Sequence, residues 1–414
     1  MLKRVIITIV IGIVLGLMII GVIAYGRGYR FNYGQKSLTS TGIISASSYP
    51  DKASVWIDNK LVSATNASIS YSPGWYNIRI TREGYQPWEK KIRIQGEVVS
   101  QIDALLIPNN PSLRALTVTG VYKPVLSPTS AKVAYIISSD ATKSGEIISK
   151  NGIWILDLRV GPLGNKSEAK QIYKPITPVA WKDARLLWSP DEKQVVLLLE
   201  KTETQIKKQT KPQITLYRVL SLNTDNDSVP PTDITASWNN IKSEWEKKRE
   251  EKEKLQLTAI PSSINLILKE SAGFLKLAPD ESKVLYLSTQ SASLKPVLNP
   301  PLIGVNPTVE TRELKKDTYY IYDIKEDRNY FLTDTKTFPD ANKLLWYTDS
   351  KHIVMIEKDT ITIIDYDGTN KRTVYGGPFA DGVVYPWPAG GQLVILTNLN
   401  NLQATPNLYE LDLR

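Results

Sequence analysis

The feature that most constrains this chain is an apolar run near its start. Residues 5–25 contain only Val, Ile, Leu, Met, Gly and Ala, apart from Thr8 and Tyr25. As a helix that rises 1.5 Å per residue, the run spans about 30 Å, the thickness of the hydrocarbon core of a bilayer. We therefore predict a transmembrane helix over residues 5–25, after a cytoplasmic stub of residues 1–4 and before a spacer over residues 26–41.

The charges around this run indicate its orientation. Lys3 and Arg4 precede it and favour a cytoplasmic N-terminus. Basic residues also follow the run and weaken this bias: Arg27, Arg30 and Lys36. The competing interpretation is a cleaved signal peptide, with a small-residue cleavage site at residues 22–24. We expect a retained anchor with an extracytoplasmic bulk, because the apolar core is longer than that of an ordinary signal peptide.

The composition narrows the classes of protein that remain. The formal net charge is +9, but Lys and Arg are spread among Asp and Glu along all 414 residues, so we expect no nucleic-acid partner. The content of 21 Tyr and 10 Trp against 5 Phe favours β-sheet faces. The absence of cysteine excludes disulfides, thiolate metal sites and cysteine nucleophiles. A chain of this length exceeds one ordinary core, so two or three folded units are expected.

Residues 42–108 have the apolar period of short β-strands. Apolar and polar side chains alternate around Val55 and Ile57, and again over residues 76–80 and 92–94. Turn-forming residues separate these runs: Asp58, Asn59, Pro73, Gly74, Glu83 and Gly84. A period of two gives each strand one buried and one wet face, so we predict a small antiparallel sandwich over residues 42–108.

This segment resembles the PEGA domain family. The resemblance rests on elements in a fixed order, which are Gly42-Ile43-Ile44, Pro50-Asp51-Lys52-Ala53, Val55-Trp56-Ile57-Asp58, Pro73-Gly74-Trp75-Tyr76, Glu83-Gly84-Tyr85 and Trp88. Where the family has Pro-Glu-Gly-Ala, this chain has Pro-Asp-Lys-Ala, so the name-giving glycine is absent. The resemblance implies a small extracytoplasmic β-sandwich of the kind found in envelope and surface-layer proteins, without catalytic residues.

Large aromatic residues of this segment form a candidate ligand site. They are Trp56, Trp75, Tyr85 and Trp88. Aromatic faces can stack on sugars, so together they could form a binding platform. The alternative, which is the commoner use of large aromatic residues, is that they fill the framework of the fold.

Residues 111–414 repeat a two-part element. Its first part is a turn, usually with proline, that leads into a hydrophobic strand at residues 126–137, 188–199, 277–287 and 346–356. Its second part is a strand that usually ends near Asp or Asn, at residues 153–157, 216–219, 320–323, 361–365 and 408–412. About five such repeats predict a radial array of small sheets.

The repeats resemble the TolB-like, or PD40 and WD40-like, β-propeller. Residues 188–193 copy its Ser-Pro-Asp-Gly turn most closely, and residues 364–370 match its later hairpin. The resemblance covers roughly residues 115–414. It implies a propeller of about five or six blades, with a blade completed by pairing the two ends of the segment. Residues 289–317, rich in proline and small polar residues, are predicted as a long loop within it.

One segment, residues 237–257, interrupts the β pattern with helix-forming residues. Asp233 or Ser237 can cap such a helix, and Glu244 and Lys248 have the i, i+4 spacing of a stabilising pair. Its large apolar residues fall on one side: Trp238, Ile241 and Trp245. We predict a helical insertion that docks by this side and is otherwise solvated. The alternative is a partner-binding arm.

The sequence carries no enzyme signature. His352 is the only histidine, so it cannot build a His-rich metal site, and no nucleophile elbow supplies a triad partner. Asp365, Asp367 and Asn370 resemble half of a calcium loop, but the bidentate Glu is missing and a hairpin turn is the better interpretation. We therefore predict no catalytic residue, no cofactor and no metal.

The combined prediction is an all-β protein behind an N-terminal transmembrane helix. We expect a membrane-anchored binding or scaffolding module of the cell envelope, whose partners are the membrane and a cell-wall polymer or envelope protein. The alternative is an extracytoplasmic hydrolase or lyase that acts on cell-wall glycans or peptides in the propeller channel. This alternative stays open because paired catalytic carboxylates need not be close in sequence.

Overall fold

The computed structural model of the chain describes residues 2–26, 29–32, 37–138, 150–159, 168–176, 179, 181–203, 213–225, 229–380, 382–401 and 404–414. The chain begins with helix α1 (Leu2–Gly26), which contains the predicted span. The large apolar side chains of α1 from Ile6 to Tyr25 are between 49% and 70% exposed on every side of the helix. A helix that is apolar all round needs an apolar environment, and Ile9–Gly26 is long and apolar enough to cross a membrane.

A hairpin and a small sandwich follow the helix. The hairpin pairs β1 (Tyr29–Asn32) with β2 (Ser37–Ser40). The strands of the sandwich are β3 (Gly42–Tyr49), β4 (Ser54–Ile57), β5 (Lys60–Ala64), β6 (Ala67–Tyr71), β7 (Gly74–Thr81), β8 (Trp88–Ile94) and β9 (Val99–Leu105). They form one sheet in the order β6-β3-β9 and one in the order β5-β4-β7-β8. We call this unit the N-terminal sandwich.

The period-two pattern places the core of the N-terminal sandwich. Val55, Ile57 and Ile80 are completely buried between the two sheets, as the alternation predicts. Asp58 and Asn59 have φ of 45° and 65°, as a tight turn between β4 and β5 requires. The prediction of a purely antiparallel unit is wrong at one place, because β3 and β9 pair in parallel. The chain between these strands makes the crossover that a parallel pair needs.

Short strands are the main regular structure of the remaining described residues. They are β10 (Ser112–Ala115), β11 (Tyr122–Leu126), β12 (Lys132–Ile137), β13 (Gly152–Asp157), β14 (Lys170–Tyr173), β15 (Ala184–Trp188), β16 (Gln194–Glu203), β17 (Gln213–Asn223), β18 (Thr232–Asp233), β19 (Ala272–Leu277), β20 (Lys283–Ser288), β21 (Ala292–Ser293), β22 (Glu313–Leu314), β23 (Thr318–Asp323), β24 (Arg328–Asp334), β25 (Leu344–Trp346), β26 (His352–Ile356), β27 (Thr360–Asp365), β28 (Arg372–Gly376), β29 (Val384–Pro386), β30 (Gln392–Thr397) and β31 (Asn407–Asp412).

These strands form five four-stranded antiparallel sheets within the described ranges. Sheet A has the order β10-β31-β30-β29, sheet B contains β11 to β14, and sheet C contains β15 to β18. Sheet D has the order β19-β20-β23-β24, and sheet E contains β25 to β28. Sheet A joins the two ends of the segment, as predicted, because β10 pairs with β31. Within the predicted loop over residues 289–317, the regular structure is the short antiparallel pair of β21 and β22.

The sheets pack face to face because alternate residues of one strand face different neighbours. In β16, Val195 and Leu197 pack against sheet B, whereas Val196 and Leu198 face the opposite way. Further clusters join sheet B to sheet A, sheet A to sheet E and sheet E to sheet D. The sheets thus follow one another in the order C, B, A, E, D, like the blades of a propeller. The number of blades stays a prediction.

Sheets C and D each have one face that does not pack against the neighbouring sheet in these clusters. A helix covers each of these two faces. Helix α2 (Trp238–Leu257) packs Trp238 and Trp245 on sheet C, and its docking side is the one predicted. Helix α3 (Ser262–Ser271), which was not predicted, packs Ile264 and Leu268 on sheet D. The capping prediction for Ser237 is wrong, since its side chain makes no cap hydrogen bond. Glu244 and Lys248 of α2 form the predicted ion pair, at 2.7 Å.

The same turn occurs once in each sheet. Its first residue donates a backbone N–H to the carbonyl oxygen five residues later, in the pairs Ser127 with Lys132, Ser189 with Gln194, Ala278 with Lys283, Tyr347 with His352 and Trp387 with Gln392. Its fourth residue has a positive φ, at Ser130, Glu192, Glu281, Ser350 and Gly390. Four of these turns begin inside the predicted repeats. The fifth, at Trp387, was missed because Trp387 and Ala389 stand where the repeat has Ser and Asp, although Gly390 matches its glycine.

Candidate functional site

The N-terminal sandwich docks on sheet E and on the end of sheet A. The indole nitrogen of Trp88 donates to Asp365 Oδ2 at 3.1 Å, and the Lys90 ammonium pairs with Asp367. Leu105 is the last residue of β9, and Ile107 lies just after it. Both belong to the hydrophobic cluster between sheets A and E. These contacts bury both polar and apolar groups, so the two units pack against each other through a buried interface.

His352 lies at this junction, at the start of β26 where the sequence placed it. Its Nδ1 is 2.6 Å from Asp349 Oδ2 and its Nε2 is 3.3 Å from Asp365 Oδ1. Burial opposes the charged ring, but the two carboxylates outweigh it and raise the pKa of His352 to about 10. Partial desolvation would raise the pKa of Asp349, whose side chain is 34% exposed, but the charged ring lowers it. With both ring nitrogens engaged, His352 is a buried structural cation and not a free base.

Asp365, Asp367 and Asn370 belong to the turn between β27 and β28. Gly368 has φ of 80° there, a conformation that favours glycine in a hairpin. The carboxylate of Asp367 is surrounded by donors, namely Lys90, Asn306, Thr308 and Thr369. Lys90 and these hydrogen bonds hold the pKa of Asp367 at about 2, although burial alone would raise it. Donors and an ammonium around the carboxylate suit a hairpin, not a calcium site.

A cavity of about 350 Å³ lies between the N-terminal sandwich, sheets D and E, and residues 304–307. Charged residues of both signs line it: Lys90, Lys283, Lys325, Lys351, Asp103, Asp323, Glu326 and Asp365. Several are already paired within the protein. Lys283 Nζ lies 3.4 Å from Asp323 Oδ2, and Lys351 pairs with Asp103 across the junction. We call this space the junction cavity.

Glu326 is the carboxylate of the junction cavity that the protein satisfies least. Its Oε2 accepts a hydrogen bond from the backbone N–H of Asn306 at 3.1 Å, and it has no ion-pair partner among the residues that the structure describes. Burial raises its pKa, and the nearby Asp323 carboxylate raises it further. A group that bears hydrogen-bond donors or a positive charge would complete this environment. Sequence reasoning missed Glu326, because nothing in its local sequence separates it from surface glutamates.

The structure does not bring the four predicted aromatic residues into one platform. Trp88 is 4% exposed, donates to Asp365 and lines the junction cavity, so it does not join a surface platform, and its role towards a ligand stays a prediction. Tyr85 packs against the core of the sandwich. Trp56 and Trp75 lie on the outer face of the β5-β4-β7-β8 sheet, where cations lie over their rings, Arg79 at 5.3 Å and Lys91 at 5.7 Å. Ligand binding by Trp56 and Trp75 stays a prediction.

The segment that folds as the N-terminal sandwich is similar to a known family. A family model matches residues 41–109. The matching family is the PEGA domain. The PEGA match includes every strand of the sandwich and ends just before β10, so its limits agree with those of the folded unit. A comparison of the whole chain with characterised proteins finds no match.

Solved structures similar to the chain extend beyond the PEGA segment. TolB from Acinetobacter baumannii is 14% identical, with 81% of this chain and 59% of that protein covered and a TM-score of 0.22. The matched part thus spans under two thirds of that protein. A candidate TolB from Agrobacterium tumefaciens is 12% identical, with 91% and 99% covered and a TM-score of 0.18. An acylaminoacyl peptidase from Pyrococcus horikoshii is 9% identical, with 89% and 44% covered and a TM-score of 0.16. Similarity at this level of identity and TM-score does not indicate function.

Proposed function

We propose that this chain is a membrane-anchored, extracytoplasmic protein that binds or scaffolds components of the cell envelope. The observation that carries the proposal is α1, whose apolar side chains are exposed on all sides and directly precede a β-rich folded body. Lys3 and Arg4 before the span favour a cytoplasmic N-terminus, which puts the PEGA segment and the propeller outside. The helix is retained as an anchor and not removed as a signal peptide.

The binding site that we propose is the junction cavity. It is built by two units whose relative position is fixed by buried contacts, such as those of Trp88 and Lys90 with the turn of sheet E. Its volume of about 350 Å³ is in the range of small-ligand pockets. Glu326 supplies an acceptor that has no ion-pair partner among the described residues, so the ligand carries an amine or several hydroxyl groups. Amino sugars and peptide amines of cell-wall polymers have this chemistry.

A hydrolase or lyase acting on the same polymers is the rival function. We favour binding, because His352 is held between two carboxylates and because the lysines nearest the cavity carboxylates are paired with them. A general base needs a free position facing its substrate. Glu326 has such a position, but the neighbouring Asp323 carboxylate is paired with Lys283, so the two free carboxylates that glycoside hydrolysis uses are not assembled among the described residues of the cavity. An assay for turnover of cell-wall fragments separates the two functions, since a binding protein retains the fragments unchanged.

The first experiment tests location. Protease added to intact cells should remove the PEGA segment and the propeller, and the mass of the protein isolated from membranes should include α1. A protected C-terminal body would show that the orientation is wrong. A mature protein that begins after residue 26 would show that α1 is a signal peptide.

The second experiment tests the site. The full chain in detergent is passed over immobilised peptidoglycan, wall polysaccharide and membrane-protein fractions. We expect one fraction to retain the wild type and to retain Glu326→Gln at least about tenfold less, which corresponds to one lost charged hydrogen bond. The matched control is Glu250→Gln on the exposed side of α2, which should bind like the wild type. Equal retention of both variants would remove the junction cavity from the proposal.

A further inference from the structure

One end of the N-terminal sandwich exposes a group of apolar side chains. They are Ile43 at 39%, Val99 at 54%, Leu302 at 47% and Ile303 at 71% exposed. Ile43 and Val99 are direct neighbours in the parallel pair of β3 and β9, near the first residue of each strand. Single exposed apolar residues are ordinary, but a contiguous group needs a partner. We call these four residues the basal patch.

The propeller loop is held against the sandwich at this end. The backbone N–H of Gly304, directly after Ile303, donates to Gln95 Oε1 at 2.9 Å. A Cβ on Gly304 would lie 2.3 Å from Val98 Cγ1, and φ at Gly304 is +75°, so the close approach depends on glycine. This contact brings Leu302 and Ile303, from the long loop between β21 and β22, beside Val99. The basal patch therefore combines both folded units.

The membrane helix leaves the molecule at the same end. Tyr29 comes three residues after Gly26, the last residue of α1, and its hydroxyl donates to Glu97 Oε1 at 2.7 Å. Glu97 in turn donates its backbone N–H to Thr41 at 3.1 Å, next to the start of β3. Residues 95–98, which Gly304 contacts, therefore lie next to the point where the chain emerges from α1.

From this arrangement we infer that the basal patch rests in the interface of the bilayer that α1 crosses. The occupant of the patch is the lipid surface, because the short connection through Tyr29 keeps the patch close to the membrane wherever α1 is inserted. Apolar side chains gain free energy when they leave water for the boundary between headgroups and acyl chains. The folded body is then held on the membrane and not at the end of a free tether. This inference depends on the proposed anchoring by α1.

The test uses the absence of cysteine from the chain. Ile303→Cys in the full chain is labelled with an environment-sensitive fluorophore, and the protein is placed in lipid nanodiscs containing nitroxide-labelled lipids. Ile13→Cys in α1 reports on anchoring. Val118→Cys is the matched control, since Val118 is 81% exposed in the connection after β10, at the end of sheet A away from the sandwich.

We expect the Ile303 label to be quenched by lipid at least about threefold more than the Val118 label, as interfacial burial requires. Quenching of the Ile13 label without quenching at Ile303 overturns the basal-patch inference and leaves the anchor intact. Absence of quenching at Ile13 overturns both. Disulfide-linked dimers of unlabelled Ile303→Cys, together with an unquenched Ile303 label, would assign the patch to a second copy of the chain and also overturn the inference.

Discussion

Sheets B and E place charged groups at the same position but treat them differently. In sheet B, Lys132 at the start of β12 is paired in register with Asp157 at the end of β13. In sheet E, His352 at the start of β26 is paired in register with Asp365 at the end of β27. Asp157 is bound by Arg159, whose side chain is 61% exposed, whereas His352 is 4% exposed and bound by two carboxylates.

The difference arises because the N-terminal sandwich covers the turn of sheet E, whereas in sheet B Asp157 stays 22% exposed and its partner Arg159 61% exposed. Two residues of the sandwich contact the turn of sheet E: Trp88 donates a hydrogen bond to Asp365, and Lys90 forms an ion pair with Asp367. A surface ion pair contributes little to stability, while removal of one member of a buried set leaves an uncompensated charge. Charged groups at one repeat position therefore contribute little to stability in one sheet and much in another, according to what covers them.

The largest expected effect is that of His352→Leu. Removal of the ring leaves the buried Asp365 carboxylate and the partly exposed Asp349 carboxylate without their cation, so the free energy of unfolding should fall by about 3–5 kcal/mol. Chemical denaturation of the full chain in detergent, followed by tryptophan fluorescence, measures the change. Arg159→Ala in sheet B is the control and should change it by less than about 0.5 kcal/mol. Equal effects of the two substitutions would break the comparison.

The second prediction concerns pH. An unfolded histidine loses its proton near pH 6.5, but the folded His352 does so only at about 10. Its contribution is therefore complete below about pH 6.5 and is lost as the pH rises towards 10, by roughly 2–4 kcal/mol. Denaturation curves of the wild type and of His352→Gln should converge over this range, because other groups titrate equally in both proteins. A difference that stays constant with pH would show that the ring is neutral in the fold.

The third prediction concerns Asp367→Asn, which keeps the shape but removes the charge that pairs with Lys90. We expect a loss of about 2–3 kcal/mol, since the Lys90 ammonium, only 13% exposed, then lacks a counter-charge. Asp157→Asn in sheet B should cost less than about 1 kcal/mol. Both are measured by denaturation at neutral pH. A loss as large for Asp157→Asn would show that cover by the sandwich is not what matters.

The smallest of these effects is that of Trp88→Phe. The phenyl ring keeps most of the packing but removes the donor to the Asp365 carboxylate, so we expect a loss of about 1.5 kcal/mol. In sheet B, Trp154 donates to the neutral carbonyl of Lys150 at 2.8 Å, and Trp154→Phe should cost about 0.5 kcal/mol. Hydrogen exchange of the β27–β28 turn should quicken only in the Trp88 variant.

Local sequence signals predicted much of the fold. The alternation at Val55 and Ile57 gave the sandwich face, and the turn at Ser189 gave the sheet that follows it, because both signals lie within a few residues. Helix α3 was missed although Ile264 and Leu268 have helical spacing, because an apolar pattern over only ten residues does not separate a short helix from a strand or loop. The parallel pairing of β3 with β9 was missed because register between distant strands leaves no local trace.

The candidate site was less accessible to sequence reasoning. The aromatic residues were recognised by type, but Trp88 turned inward to meet Asp365, a residue 277 positions away. The junction cavity exists only because the sandwich docks on sheet E, and docking depends on surfaces that form after each unit has folded. Glu326 becomes unusual through the neighbours it acquires, such as Asp323 and the Asn306 backbone. None of these relations is encoded in spacing along the chain.

Sheet A has a consequence for biogenesis. Its edge strand β10 is synthesised long before β31, yet the two pair through four consecutive residues, from Ser112 with Asp412 to Ala115 with Tyr409. During synthesis β10 keeps an unsatisfied edge until β31 is available, and unsatisfied edges recruit other strands. A chain that lacks β31 would keep sheet A open beside β10, so removal of this one strand is expected to promote aggregation as well as loss of stability.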